Sequence, residues 1–373
     1  MISNEIRYQR QIRYRRIFIC LLLLLLFLMP LSAATLKYSG EFLKFGLGVR
    51  EMSLGGAAFS DPRAVSASYW NPAALFTNER FSGQFMHTEE FAGILNLDHL
   101  SLALPNKNGL AWGVAYFRLG VDDIPDTRNA LIDVGRDGLG PNDPGYPGPD
   151  PDGSEANGVL DDGERLDFGK IGRFGSSENA ILVSVARPLR EKFTLGATVK
   201  GIYRSLSQSA FGLGLDVAAR YAWCPNLQIS AALYDVTTTM IFWDDGVKEI
   251  ILPTLRGGLV WKLQPAKLPI AIHSYAALDA NLEGAQNDRD IGLGFTNLRA
   301  RLGLELEYRG FLLLRGGRDD LGAYHLGCGL ALPIGALDYG FAMGGAYREL
   351  GESHRLSLTI HFRQFGRQLR RWL

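Results

Sequence analysis

FTLGATVKGIYRSLSQSAFGLGLDVAARY, residues 193–221, holds two runs in which side-chain character alternates at every step. Phe193, Leu195, Ala197, Val199, Gly201 and Tyr203 fall on one face, and Thr194, Gly196, Thr198, Lys200, Ile202 and Arg204 on the other. The second run repeats the plan, with Phe211, Leu213, Leu215, Val217, Ala219 and Tyr221 opposing Gly212, Gly214, Asp216, Ala218 and Arg220. A period of two is the signature of a β-strand with one apolar and one polar face.

Alternation alone does not say which face is outside, because a soluble barrel or sandwich has the same period. The aromatic residues choose. Phe193 with Tyr203, and Phe211 with Tyr221, bracket the apolar faces ten residues apart. At a tilt near 40° ten residues rise roughly 25 Å, the height of the apolar band between the aromatic girdles of a transmembrane barrel. The opposite faces carry full charges and many glycines, which a water-filled or plugged lumen accepts.

The same pattern returns at Leu302, Leu304, Leu306 and Tyr308, opposed by Arg301, Gly303, Glu305, Glu307 and Arg309. Short turns at 105–109, 188–192, 224–226, 264–268, 309–310 and 333–336 alternate with connections that are often longer, at 118–178, 237–252, 281–299 and 348–353. That rhythm predicts about 14 antiparallel strands between residues 81 and 362, an all-β transmembrane barrel with both ends on the periplasmic side. A basic tail, 363–373, follows the aromatic strand end at Phe362. The competing expectation is a secreted, soluble, calcium-binding β protein.

Ahead of the strands, five arginines and one glutamate within residues 1–16 precede the apolar run Ile17–Met29, then Pro30 and the small residues Ser32, Ala33 and Ala34. This is the order of a cleavable secretory signal peptide, and it predicts export and cleavage after Ala34. The apolar run is shorter than the roughly 20 residues of a membrane-spanning helix. Overall formal charge is +0, so the exported chain is left mildly acidic and nucleic acid is excluded as a partner. Of the 3 cysteines, Cys224 and Cys328 survive cleavage, one in a turn and one in mid-strand, and are not expected to pair.

The 118–178 connection is too long and polar for a plain hairpin, with 14 Asp and Glu against 6 Lys and Arg, and loops of such length are functional or disordered. Within it, GSEANGVLDDGE at 153–164 partly matches a twelve-residue calcium loop. Glu155, Asn157 and Asp161 fall at ligand positions, Gly158 at the tight turn, Val159 at the carbonyl position and Glu164 at the bidentate close. The first ligand position is Gly153, with Asp152 one place early. Calcium in this loop is the cofactor expectation, against a solvated acidic loop.

No enzyme is expected. The 6 histidines are scattered without metal-ligand spacing, and no Gly-x-Ser-x-Gly elbow or nucleotide-binding glycine loop opens a helix.

SASYWNPAAL, residues 66–75, interrupts the strand-like texture. Asn71 is a good N-cap and Pro72 is preorganised for a first helical turn, so a short helix is expected here. The wider segment FLKFGLGVREMSLGGAAFSDPRAVSASYWNPAAL, residues 42–75, resembles the N-terminal signature of PorV/PorQ family outer-membrane proteins, themselves similar to FadL-type barrels. The matching positions are Gly48, Arg50, Leu54, Gly55, Gly56 and Ala57, then Trp70, Asn71, Pro72 and Ala73.

The resemblance implies a 14-stranded barrel whose residues 35–80 fold back into the lumen as a plug. In it Asn71 would cap the helix while Tyr69 and Trp70 wedge it against the wall. It also implies an outer-membrane component of protein export or surface attachment, with outer-membrane lipid, secretion-machine proteins or exported cargo as partners. The alternative it leaves is a FadL-type carrier of hydrophobic small molecules. The charged inner face gives no traceable apolar pocket, which favours export.

Overall fold

The computed structural model describes residues 41–61, 65–91, 93–206, 208–281, 291–293, 296–344 and 352–372. The signal-peptide expectation for 1–34 lies outside them.

Among the described residues fourteen antiparallel strands close into a barrel. They are β1 (Ser82–Glu90), β2 (Leu95–Ala103), β3 (Ala111–Asp126), β4 (Gly172–Arg190), β5 (Phe193–Ser205), β6 (Ser209–Cys224) and β7 (Leu227–Tyr234). The circuit continues through β8 (Thr254–Leu263), β9 (Ile270–Asn281), β10 (Thr296–Tyr308), β11 (Leu312–Arg318), β12 (Ala323–Leu332), β13 (Gly335–Gly344) and β14 (Ser353–His361). Each strand pairs with its sequence neighbours, and β1 pairs with β14 from Ser82↔His361 to Glu89↔His354, so no edge is left open.

The register places the aromatic brackets opposite one another. Phe193 faces Tyr221 at one end of the β5–β6 pair and Tyr203 faces Phe211 at the other, with the latter rings 5.0 Å apart. Between them Leu195, Val199, Leu213 and Val217 are exposed, Leu213 by 67 %. A water-soluble globule would bury these residues; a lipid-facing wall presents them. Outer positions elsewhere follow suit at Leu259, Leu304, Leu326 and Leu356.

The connection expected at 118–178 is shorter than predicted, because β3 runs to Asp126 and β4 begins at Gly172. Both strands stand beyond the apolar band, where polar side chains on either face cost nothing. The remaining excursion carries a two-stranded ribbon, Leu131–Ile132 with Arg165–Leu166. The 237–252 connection contains a hairpin, Thr239–Trp243 with Lys248–Ile251, that extends the wall beside β6. Cys224 ends β6, Cys328 sits within β12, and both are exposed free thiols.

The described residues 41–61 and 65–77, ahead of β1, fold inside the barrel. The short helices α1 (Val49–Ser53) and α2 (Ala67–Trp70), with 3-10 turns at Glu41–Lys44, Ala57–Ser60 and Pro72–Thr77, form the plug. At the far end α3 (Phe362–Trp372) continues from β14, and Phe362 packs on Phe81 with ring centroids 4.5 Å apart.

Candidate functional site

The plug begins near the long-connection end of the barrel and descends to the short-turn end. Its lowest part is the NPA step. Asn71 Oδ1 accepts a hydrogen bond from Ala73 N at 3.1 Å, and Asn71 Nδ2 donates to Phe59 O at 3.1 Å, so one buried side chain caps the Pro72–Thr77 turn and ties two plug segments together. The turn is a 3-10 helix, with Pro72 at its first position. Tyr69 and Trp70 hold the plug to itself: Trp70 Nε1 donates to Leu47 O at 2.6 Å and Tyr69 OH donates to Leu43 O. The wall reaches in at Tyr234, whose hydroxyl donates to Trp70 O at 2.5 Å.

Lumen glycines are recesses for this plug. A Cβ on Gly317 would lie 2.2 Å from Leu54 C, and one on Gly196 would lie 2.3 Å from Ala73 N. Plug glycines answer from the other side: a Cβ on Gly55 would lie 2.5 Å from Arg318 O, and one on Gly56 would lie 2.8 Å from Arg301 Nη1. Backbone therefore meets wall directly, at distances no side-chain carbon tolerates. Leu54 is fully buried with Ala57, Ala58, Val260 and Tyr275.

Arg50 is the electrostatic centre of the contact. From α1 its Nε and Nη2 reach Glu305 Oε2 and Oε1 at 3.0 and 3.1 Å, and Nη2 also bonds Asp61 and, at 2.8 Å, Tyr275 OH. Arg315 Nε donates to the same Glu305 Oε2 at 2.8 Å and Arg315 Nη1 to Asp338 Oδ1 at 2.6 Å. Burial alone would lower the Arg50 pKa, but the carboxylates of Asp61 and Glu305 outweigh it and hold the guanidinium well above its ordinary value. The neighbouring Glu51 carboxyl is pushed up by burial, with Arg50 opposing.

Further ionic groups line the lumen. Arg256 clamps Asp279 through two bonds, at 2.5 and 2.7 Å, while Arg301 adds a third at 3.2 Å. Lys200 bridges Asp216 at 2.8 Å and Asp235 at 2.6 Å. Sequence reading placed Lys200, Asp216, Arg301 and Glu305 on inner faces but gave no pairings, since each partner comes from a different strand.

Apolar side chains stand among these charges, beside Lys200 and the pairs of Arg204 with Glu178 and Glu249, which corrects the expectation of a wholly ionic interior. Leu97, Phe117, Leu119, Leu182, Ile202 and Ile241 point inward and bury the plug residues Phe42, Leu47, Val49 and Met52. Ile202, on the face otherwise occupied by Thr198, Lys200 and Arg204, was the available signal. Two cavities lie toward the long-connection end, about 90 and 170 Å³. The smaller is lined by the apolar and aromatic Leu43, Tyr69, Trp70, Leu182 and Ile251 together with Lys200, Arg256, Asp279 and Arg301. It is amphipathic.

In the outer loop the calcium-pattern residues are engaged with one another and with their surroundings. Glu155 accepts from Tyr146 OH at 2.8 Å, Asn157 Nδ2 donates to Asp161 Oδ2 at 2.7 Å, and Asp152 Oδ1 accepts from Ser154 Oγ at 2.7 Å. Glu164 accepts from Gly135 N at 2.7 Å and Asp161 N at 2.9 Å. Val159 is an exposed side chain. Among the described residues no three His, Cys, Asp or Glu side chains are grouped to hold a metal ion.

No family model matches the sequence, and no curated protein matches it. Among solved structures the chain is similar to the toluene transporter TodX of Pseudomonas putida, at 12% identity and a TM-score of 0.48, over 84% of this chain and 96% of that one. It is also similar to a FadL homologue of Pseudomonas aeruginosa, at 12% identity and a TM-score of 0.47, over 88% and 99%. A third likeness is to the toluene transporter TbuX of Ralstonia pickettii, at 12% identity and a TM-score of 0.46, over 84% and 97%. These values describe the course of the backbone and carry nothing about ligands.

Proposed function

We propose that this chain is an outer-membrane barrel that admits small hydrophobic compounds, those with a polar end above all, past a movable plug. The observation that carries the reading is the mixed apolar and ionic lining of the smaller cavity. A solute with an apolar body and a polar end meets Leu182, Tyr69 and Trp70 for the one and Arg256, Arg301 and Lys200 for the other within a single cavity. The plug's own Phe42 and Leu47 pack among the apolar lumen residues. A solute that takes their place recovers about 2 kcal/mol of apolar burial per side chain displaced, so exchange of plug for solute is close to balanced. No chemical step is part of this reading.

Uptake into liposomes carrying the purified protein tests it. Wild type is expected to speed entry of a small aromatic compound, and Leu182→Asp to lose most of that gain while the barrel stays folded. Equal rates with and without protein would overturn it.

A partner role in protein export is the second reading, favoured by the outer loop. Phe168, Val159 and Leu160 stand exposed there, Phe168 by 82 %, and a surface of that kind suits a protein contact. Recovery of large protein partners from native membranes, with no transport activity, would select it.

A further inference from the structure

Three buried oxygen atoms at the plug–wall contact have no hydrogen-bond partner: Glu51 Oε2 on α1, Gln84 Oε1 on β1 and Ser66 Oγ just before α2. They surround one point. A Cβ built on Gly48 would lie 2.3 Å from Glu51 Oε2 and 3.1 Å from each of the other two. Gly48, at a φ of 84°, has no side chain, which lets Glu51 Oε2 come close against it.

The surroundings fix the orientation of each oxygen. Gln84 Nε2 donates to Thr359 Oγ1 at 3.1 Å, which turns its carbonyl oxygen to the plug. Glu51 Oε1 receives Arg50 Nη1 at 3.3 Å, which leaves Oε2 bare. Carboxylate and amide oxygens only accept, and the single Ser66 hydroxyl proton serves one of them at most. Oxygens buried in this way call for a positive partner.

We propose that Glu51, Gln84 and Ser66 bind one hard monovalent cation of about sodium size, and that this ion fastens the plug to β1. Oxygen-only donors suit a hard cation. One carboxylate, already shared with Arg50, balances a single charge and not two.

Further buried polar groups lie along the wall from the site. Met86, Thr88 and Glu90 follow Gln84 on the inner face of β1, and Glu90 lines the larger cavity. Beside them Thr88 Oγ1, both ring nitrogens of His99, Ser101 Oγ and Ser357 Oγ are buried without partners. Ser101 lies opposite Gln84, while His99 and Ser357 flank Met86 on the two neighbouring strands. This buried line of groups spans about 20 Å from Gln84 to Glu90.

The test uses the full-length protein in detergent, with sodium chloride titrated against choline chloride at constant ionic strength. Sodium-23 NMR line broadening and the thermal unfolding midpoint are read together. Saturable broadening and a saturable rise in the midpoint are expected in wild type, both lost in Gln84→Leu and Glu51→Gln. Ser66→Ala removes one oxygen with little change in packing, and is expected to weaken the sodium response several-fold if the other variants do not fold. Three results would each overturn the site: responses identical in wild type and Ser66→Ala, no saturable response, or a midpoint that answers to acid but not to sodium, which would put a proton on Glu51 in place of the ion.

Discussion

Arg50 and Glu305 form a two-point ion pair across 255 residues of sequence, the first on the plug and the second on the wall. Glu305 is buried and Arg50 nearly so, and each keeps other partners: Asp61 and Tyr275 for Arg50, Arg315 and His273 for Glu305. An ion pair of this kind fixes position more than it adds stability, because both charges have left water. Removing one member is another matter. Arg50→Met should destabilise the seated plug by about 3 kcal/mol, seen as larger or more frequent conductance steps in planar bilayers. Adding Glu305→Gln should recover part of that loss, giving a non-additive double-mutant cycle.

The wall glycines make a steric prediction with an internal control. Gly317→Ala drives a carbon into Leu54 backbone, whereas Gly201→Ala adds one where nothing lies within 4 Å. The first should leave heat-modifiable barrel migration intact yet raise sugar permeation in liposome-swelling assays. The second should change neither.

Asn71→Ala removes the cap of the Pro72–Thr77 turn together with the bond to Phe59 O. A cost of about 1 kcal/mol is expected for the cap, read as a lower temperature of plug release by hydrogen exchange over residues 65–77. Exchange as slow as in wild type would show that packing against Gly196 holds the turn unaided.

Much of the barrel was legible in the sequence and much of the plug's fastening was not, for one physical reason. Alternation is local, so Phe193 to Tyr221 disclosed strand, face and span at once. The pairings of Arg50, Asp279 and Lys200 depend on which strands become neighbours around a closed wall, and no local pattern carries that. The apolar lumen residues Leu97, Phe117, Leu119 and Leu182 come from β2, β3 and β4, and their gathering likewise depends on which strands become neighbours. Calcium at 153–164 rests on spacing alone: Glu155, Asp161 and Glu164 spend oxygens on Tyr146 and on loop backbone. Its check is proteolysis, where calcium must protect residues 150–167 relative to chelator.

Glu51 supplies a pH prediction. Its carboxyl is raised by burial, so the seated plug holds that proton more tightly than a free plug does. In sodium-free medium, seating should therefore strengthen as pH falls through the raised pKa and weaken as pH rises from the ordinary glutamate value through it. Glu51→Gln should flatten this dependence. Plug release measured by hydrogen exchange across that pH range checks it, and an unchanged slope in the variant would assign the effect to another group.

Everything above depends on which way the strands face. Nitroxide labels at Leu213→Cys and Leu304→Cys, in protein reconstituted into bilayers, address that directly. Collision with oxygen should be high and collision with a water-soluble nickel chelate low at both sites, while Phe168→Cys in the outer loop should show the reverse. If Leu213 and Leu304 proved shielded from both reagents, in a protein that stays dissolved without detergent, the apolar side chains would form the core of a soluble fold and the lumen described here would not exist.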